Sequence, residues 1–96
     1  MPQIIFTPDA ISDLARLREF LEAKNAMAAA RAASVIKTSL QSLAKAPEAY
    51  RPVPDRPHER ELIIGFGSSG YVARYRYKRG GDILILRIWH QLEQRS

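Results

Sequence analysis

Between Arg60 and Gln91 the chain reads RELIIGFGSSGYVARYRYKRGGDILILRIWHQ, three runs of strand-forming residues separated by two glycine-bearing turns. In Tyr71–Lys78 the odd positions are Tyr71, Ala73, Tyr75 and Tyr77, and the even positions are Val72, Arg74, Arg76 and Lys78. Strand side chains alternate between faces, so one face is aromatic and suited to burial while the other is strongly basic. Gly80-Gly81 suits the positive φ of a tight hairpin turn. The strand that follows, Ile83–Trp89, is apolar on both sides: Leu84, Leu86 and Ile88 fall on one face, Ile83, Ile85, Arg87 and Trp89 on the other. Such a strand belongs in the middle of a sheet. The preceding run, Glu59–Ile64, ends in Gly65-Phe66-Gly67-Ser68-Ser69-Gly70, whose three glycines predict a second hairpin with a longer, more mobile connection.

The chain before this sheet is helical. Gln3–Phe6 is a short β-prone segment, after which Thr7 caps a helix, Pro8 fits its first position and Asp9 complements the positive dipole end. Ile11, Leu14, Leu17, Phe20 and Leu21 form its apolar stripe, with Asp13, Arg16, Glu19 and Glu22 elsewhere. It is expected to end near Lys24-Asn25, and Asn25 can also cap the next helix. From Ala26 to Ala46 high helix propensity predicts a second helix, with Ala29, Ala32, Ala33, Ile36, Leu40 and Leu43 as its stripe. So short a connection makes the two helices antiparallel, an αα-hairpin.

Pro47 stops the second helix, and prolines 47, 52, 54 and 57 make PEAYRPVPDRPH an extended, irregular connector. The order is β-α-α-β-β-β, an α+β fold with an antiparallel sheet and the αα-hairpin packed on one face. Counting chain reversals leaves the first strand antiparallel to the last. The helices then cover the tyrosines together with Leu84, Leu86 and Ile88.

At 96 residues the whole chain, 1–96, reads as one domain, able to bury roughly two-thirds of its unfolded surface. With no cysteine it has neither a disulfide nor a thiolate metal site, and a reducing cytoplasm suits it. No apolar run approaches the roughly 20 residues of a membrane span, and MPQIIF lacks the charged start of an export signal. The net charge of +5 is unevenly placed, with +1 in residues 1–50 and +4 in residues 51–96. A basic sheet half attracts nucleic acid or an acidic protein. No Walker loop, dinucleotide fingerprint or metal-ligand cluster is present, which argues against a nucleotide- or metal-dependent enzyme. Trp89 either covers the sheet edge or, beside arginine, has the composition of an interface hot spot.

The ordered set PQIIFTPDAISDLARLREFLEAKN, RPVPD, RELIIGFGSSGYVARYRY and ILILRIWHQ resembles the RelE/ParE toxin superfamily, and more closely its ParE branch, over almost the whole chain. The resemblance implies a toxin of a bacterial type II toxin–antitoxin module, of the plasmid-stabilisation kind. Its partner would be a ParD-like antitoxin whose C-terminal segment wraps the toxin, and its target DNA gyrase. On this reading the basic sheet face and last strand act by binding, with Arg60, Arg74, Arg76, Arg87, Trp89 and His90 as target- or antitoxin-binding residues, and no catalytic residue, metal or cofactor.

RelE-like relatives instead cleave messenger RNA on the ribosome, which requires a base for the 2′-hydroxyl, an acid for the leaving oxygen and cations for the phosphate. As a nuclease, the chain would use Arg74, Arg76 and Arg87 on phosphate, His90 as proton shuttle and Glu59 or Glu61 as base, a set resembling the YoeB-like variant. His58, among prolines, is a weaker candidate. The tail LEQRS carries no tyrosine, which such nucleases often use. A third reading is a toxin-like binding module without activity.

Overall fold

The computed structural model describes residues 1–93, so the end of the LEQRS tail lies outside the described residues. In chain order the elements are β1 (Ile4–Phe6), α1 (Pro8–Glu22), α2 (Ala26–Ser42), β2 (Arg51–Pro52), β3 (Glu59–Phe66), β4 (Ser69–Tyr77) and β5 (Ile83–His90). The strands form one sheet in the order β1-β5-β4-β3-β2, and the two helices pack on one of its faces.

Both helix starts follow their local chemistry. The Thr7 hydroxyl accepts the Ala10 amide at 3.1 Å, and the Asn25 side chain accepts the amides of Met27 and Ala28 at 3.0 and 3.1 Å. The stripes differ from expectation at their margins. On α1, Ala10, Asp13 and Leu17 are buried, whereas Ile11 and Phe20 are more than half exposed. On α2, Ala29, Ala32, Ile36 and Leu40 face the core and Ala33 lies outside it. A carboxylate has replaced an apolar side chain on the buried face of α1.

The first strand runs parallel to the last, with Ile4 opposite Ile83 and Phe6 opposite Ile85, so the antiparallel expectation is wrong. The uncounted reversal is in the proline segment. Arg51 and Pro52 pair antiparallel with Glu61 and Arg60, making the connector a hairpin of its own. Pro52 sits there on an edge strand, where its missing N–H breaks no ladder. The β3–β4 connection is also tighter than expected: Phe66 pairs with Ser69 across Gly67-Ser68, with Gly67 at φ 62°. Positive φ at the first central position suits a two-residue hairpin turn.

Tyr71, Ala73 and Tyr75 are buried against the helices, as alternation in β4 predicts. In β5 alternation breaks. The pairing passes from Tyr75 opposite Ile85 to Arg74 opposite Arg87, leaving Leu86 as an extra residue in a β-bulge. The core therefore takes Ile83, Ile85 and Ile88, each fully buried, in place of Leu84, Leu86 and Ile88. Thr7 lies at this bulge: its amide donates to the Ile85 carbonyl at 3.1 Å, and its hydroxyl is 3.0 Å from the carbonyls of both Ile85 and Leu86.

Candidate interaction face

Directly paired residues of neighbouring strands share a face, so the register lays out the side of the sheet away from the helices as three rows. One row runs Arg51, Glu61, Arg74, Arg87 across four strands. A second runs Glu59, Arg76, Leu84, Ile5, and a third Ile63, Val72, Trp89. Arg74, Arg76 and Arg87 thus stand on the same side. Arg74 and Arg87 are cross-strand neighbours, an arrangement of like charges that is unfavourable unless each is compensated.

Each is compensated. Glu61 accepts Nε and an Nη of Arg74 at 3.1 and 2.6 Å, and Arg51 reaches its other oxygen at 2.7 Å. Asp13 accepts Nε and an Nη of Arg87 at 2.8 and 3.1 Å, the Ile88 amide at 2.9 Å and Arg16 at 3.3 Å. Burial opposes ionisation of both carboxyls, yet these hydrogen bonds outweigh it and hold Asp13 and Glu61 below their ordinary pKa values. The Arg74 guanidinium also lies over the Trp89 ring, 5.4 Å from its centre. Arg76 is exposed and makes no ion pair among the described residues.

Of the other residues picked out from sequence, Arg60 and His90 fall on the helix side, while Trp89 and Glu59 stand on the open side. Arg60 pairs with Tyr75 on the helix side and donates to the Tyr50 carbonyl at 2.7 Å. His90 pairs with Tyr71, also on that side; the two rings meet edge-on at 5.3 Å, and the Leu92 amide lies 3.2 Å from the His90 Nδ1. Trp89 is only 9% exposed and therefore serves as a platform under Arg74. Glu59 stands across from Arg76, with its Oε1 buried and without a hydrogen-bond partner among the described residues. His58 takes φ 67° in the β2–β3 turn.

Sequence reasoning missed Asp13, Arg16, Arg51 and Glu93 as members of this frame. Arg16 bridges Asp13 and Glu93, and the other Glu93 oxygen accepts the His90 amide at 2.8 Å. The available signal was spacing: Ala10, Asp13 and Leu17 follow one another at three and four residues, which puts the carboxylate on the buried stripe.

A second feature lies on the helix side. Leu14, Leu17 and Leu21 of α1, the alanines and Ile36 of α2, and Ile4 and Phe6 of β1 line an open apolar groove of about 450 Å³, with Arg18, Lys37 and Gln41 also in its lining. The small side chains of α2 leave this space unfilled. None of the described helices is long and apolar enough to cross a membrane.

The fold and face consist of a two-helix buttress, a mixed sheet and arginines on its open side, and comparison with known proteins places this architecture in the type II toxin–antitoxin class. Residues 4–95 match the family described as the ParE toxin of the type II toxin-antitoxin system, parDE, and the chain belongs to that family. It is 40% identical over 92 residues to Toxin RelE1 of Caulobacter vibrioides, covering 96% of each chain. Toxin RelE3 of the same organism is 35% identical over 95 residues, 99% of this chain and all of the relative. Among solved structures, a chain of the chromosomal ParDE TA system from P. aeruginosa superposes with a TM-score of 0.78 at 26% identity, covering 94% of this chain and 96% of that one. The family and the curated relatives thus carry names from both branches of the superfamily.

Proposed function

We propose that this toxin is a ParE-like poison of DNA gyrase that acts by binding and is neutralised by a ParD-like antitoxin. The observation that carries the reading is the open face: Arg74 and Arg87 stand side by side, each held by a carboxylate, with Arg76 projecting freely beside them. Arg74 and Arg87 are already ion-paired within the protein, so the charge this face offers an anionic group is chiefly that of Arg76, which makes no ion pair among the described residues. The face and the last strand engage gyrase and trap its cleaved-DNA state in the bacterial cytoplasm.

Two features favour binding over bond cleavage. A general acid and base must reach the same reacting group, and His90 lies on the opposite side of the sheet from Arg74 and Arg76. Glu61 is engaged by two arginines that hold its pKa down, which makes it a poor base.

The antitoxin reading draws on the groove. An amphipathic segment lays its apolar side chains into such a groove, and acidic residues beside them meet Arg18 and Lys37. A segment that folds on binding suits this role. Other acidic residues of the antitoxin meet Arg74, Arg76 or Arg87.

A second reading, a ribosome-dependent mRNA endonuclease, is favoured by the RelE names of the curated relatives and by the buried Glu59 oxygen across from Arg76, which has no hydrogen-bond partner among the described residues. Purified protein separates the two in paired assays of gyrase supercoiling and of mRNA cleavage during translation. Loss of supercoiling with intact mRNA is expected; the reverse result rejects the gyrase reading. Unaltered growth at confirmed expression of the toxin alone points instead to an inactive binding module.

A further inference from the structure

We infer that Asp13, on the helical side of the molecule, is a positioning residue for the arginine face: its carboxylate sets the phase of β5 after the bulge and holds Arg87 beside Arg74. The inference rests on the reading of that face given above. Four observations combine to carry it.

First, β1 accompanies β5 only as far as Ile85. Beyond that point the Ile88 amide has no neighbouring strand on its outer side among the described residues, and Asp13 Oδ2 accepts it at 2.9 Å. A carboxylate here does the work of an edge strand. Second, the same oxygen accepts Arg87 Nε at 2.8 Å while Oδ1 accepts an Arg87 Nη at 3.1 Å, a forked pair that fixes the guanidinium plane. One side chain therefore grips the main chain of residue 88 and the side chain of residue 87 together.

Third, the bulge decides where Arg87 points. Continued alternation from Ile83 and Ile85 would send Arg87 into the core; the extra residue, Leu86, turns it to the open side and Ile88 inward. Only the bulged arrangement offers Asp13 both the Ile88 amide and the Arg87 guanidinium. Fourth, Asp13 is 3% exposed and is the one charged residue in the buried set of the described residues. Water cannot replace its partners, so the carboxylate demands all of them.

The consequence is a matched presentation. Arg74 gives Nε and Nη2 to Glu61, and Arg87 gives Nε and Nη2 to Asp13, while Nη1 of neither takes part in a hydrogen bond among the described residues. Two guanidiniums on adjacent strands are therefore each held by one edge, keep Nη1 for an incoming anionic group and lose little freedom when it arrives.

The test separates positioning from plain stability. Asp13→Asn retains an oxygen for the Ile88 amide but removes the charge that fixes Arg87. When the toxin is induced without its antitoxin, growth arrest by Asp13→Asn is expected to weaken to the level of Arg87→Ala, and the double variant to be no weaker than either. By ¹⁵N relaxation, Arg87 Nε in the folded wild-type protein is expected to be as ordered as the backbone and Arg76 Nε mobile. In Asp13→Asn the Arg87 Nε is expected to become as mobile as that of Arg76.

Full growth arrest by a folded Asp13→Asn variant, alongside its loss in Arg87→Ala, overturns the positioning role and leaves the arginine face standing. Full arrest by both Arg74→Ala and Arg87→Ala removes the face itself, and the inference with it. Should Asp13→Asn fail to fold, the wild-type relaxation decides, because an Arg87 Nε as mobile as that of Arg76 contradicts the fork.

Discussion

Asp13 and Ile88, 75 positions apart in the chain, are joined by a 2.9 Å hydrogen bond from strand amide to helix carboxylate. That contact fastens the basic face of the sheet to the brace behind it. Since the acceptor is a buried carboxylate with further bonds from two arginines, the attachment depends on its ionisation.

Stability should therefore fall in acid. Asp13, Glu61 and Glu93 all have pKa values held below the ordinary 3.8 for Asp and 4.5 for Glu. A depressed folded-state pKa contributes stability that is fully present above the ordinary value and is lost as pH falls through the folded one. Urea unfolding should show a plateau above pH 5 or so and a decline beginning near pH 4.5, with a shallower decline in Asp13→Asn and Glu61→Gln. An equal slope in all three proteins would remove these carboxylates from the acid response.

Gly70→Ala should destabilise the sheet at the β3–β4 hairpin. A Cβ at Gly70 would lie 2.1 Å from the Ile64 carbonyl oxygen, a backbone atom that cannot swing aside. Overpacking of this kind costs about 1–3 kcal/mol, read as a lower urea midpoint. Gly65→Ala, where no atom lies within 4 Å, is the matched comparison.

Tyr75→Phe isolates one link between sheet and connector. The buried Tyr75 hydroxyl donates to the Pro47 carbonyl at 2.7 Å, and burial pushes its pKa up to about 12. Removing the hydroxyl should cost about 1 kcal/mol in chemical unfolding. A phenolate titration of Tyr75 near pH 10 would contradict its buried placement.

Arg74→Ala combined with Arg76→Ala should relieve growth arrest, whereas Arg31→Ala, on the exposed side of α2, should leave it intact. Arg16 is unsuitable as the comparison because it bonds both Asp13 and Glu93. Circular dichroism and a thermal melt verify that each variant is folded. Equal arrest by the double variant and wild type would remove Arg74 and Arg76 from target recognition.

The groove predicts a separation of neutralisation from toxicity. Ala33 is exposed and lines the groove, so Ala33→Glu puts a longer, anionic side chain into it, against the acidic residues expected there, while leaving the sheet untouched. Calorimetric titration with the cognate antitoxin should show affinity reduced by at least tenfold, about 1.4 kcal/mol, with growth arrest retained. Unchanged affinity would move the antitoxin off the groove.

Much of the fold was legible because its rules are local. Thr7, Pro8 and Asp9 announce a helix start through groups no more than three residues apart, and Tyr71 to Tyr77 sort themselves by a period of two. The β5 face assignment failed because nothing within Ile83–Trp89 marks Leu86 as the bulged residue; the carbonyls there are held by Thr7, 78 and 79 positions away. The site was half legible. The basic face followed from alternation, but Asp13 stood off the expected apolar stripe of α1 until its partners came from β5, and His90 and Arg60 looked adjacent to the arginines in sequence while the register put them on the other side.

By itself, then, the sequence determined the two helices with their caps, the three long strands, and the division of β4 into an aromatic and a basic side, since each depends on backbone geometry repeating over a few residues. Tertiary structure alone decided that β1 runs parallel to β5, that Arg87 turns outward, and that Asp13 is buried beside it. These outcomes depend on which distant groups satisfy an amide, a carbonyl or a charge at the edge of β5, and such partners exist only once the chain has closed on itself.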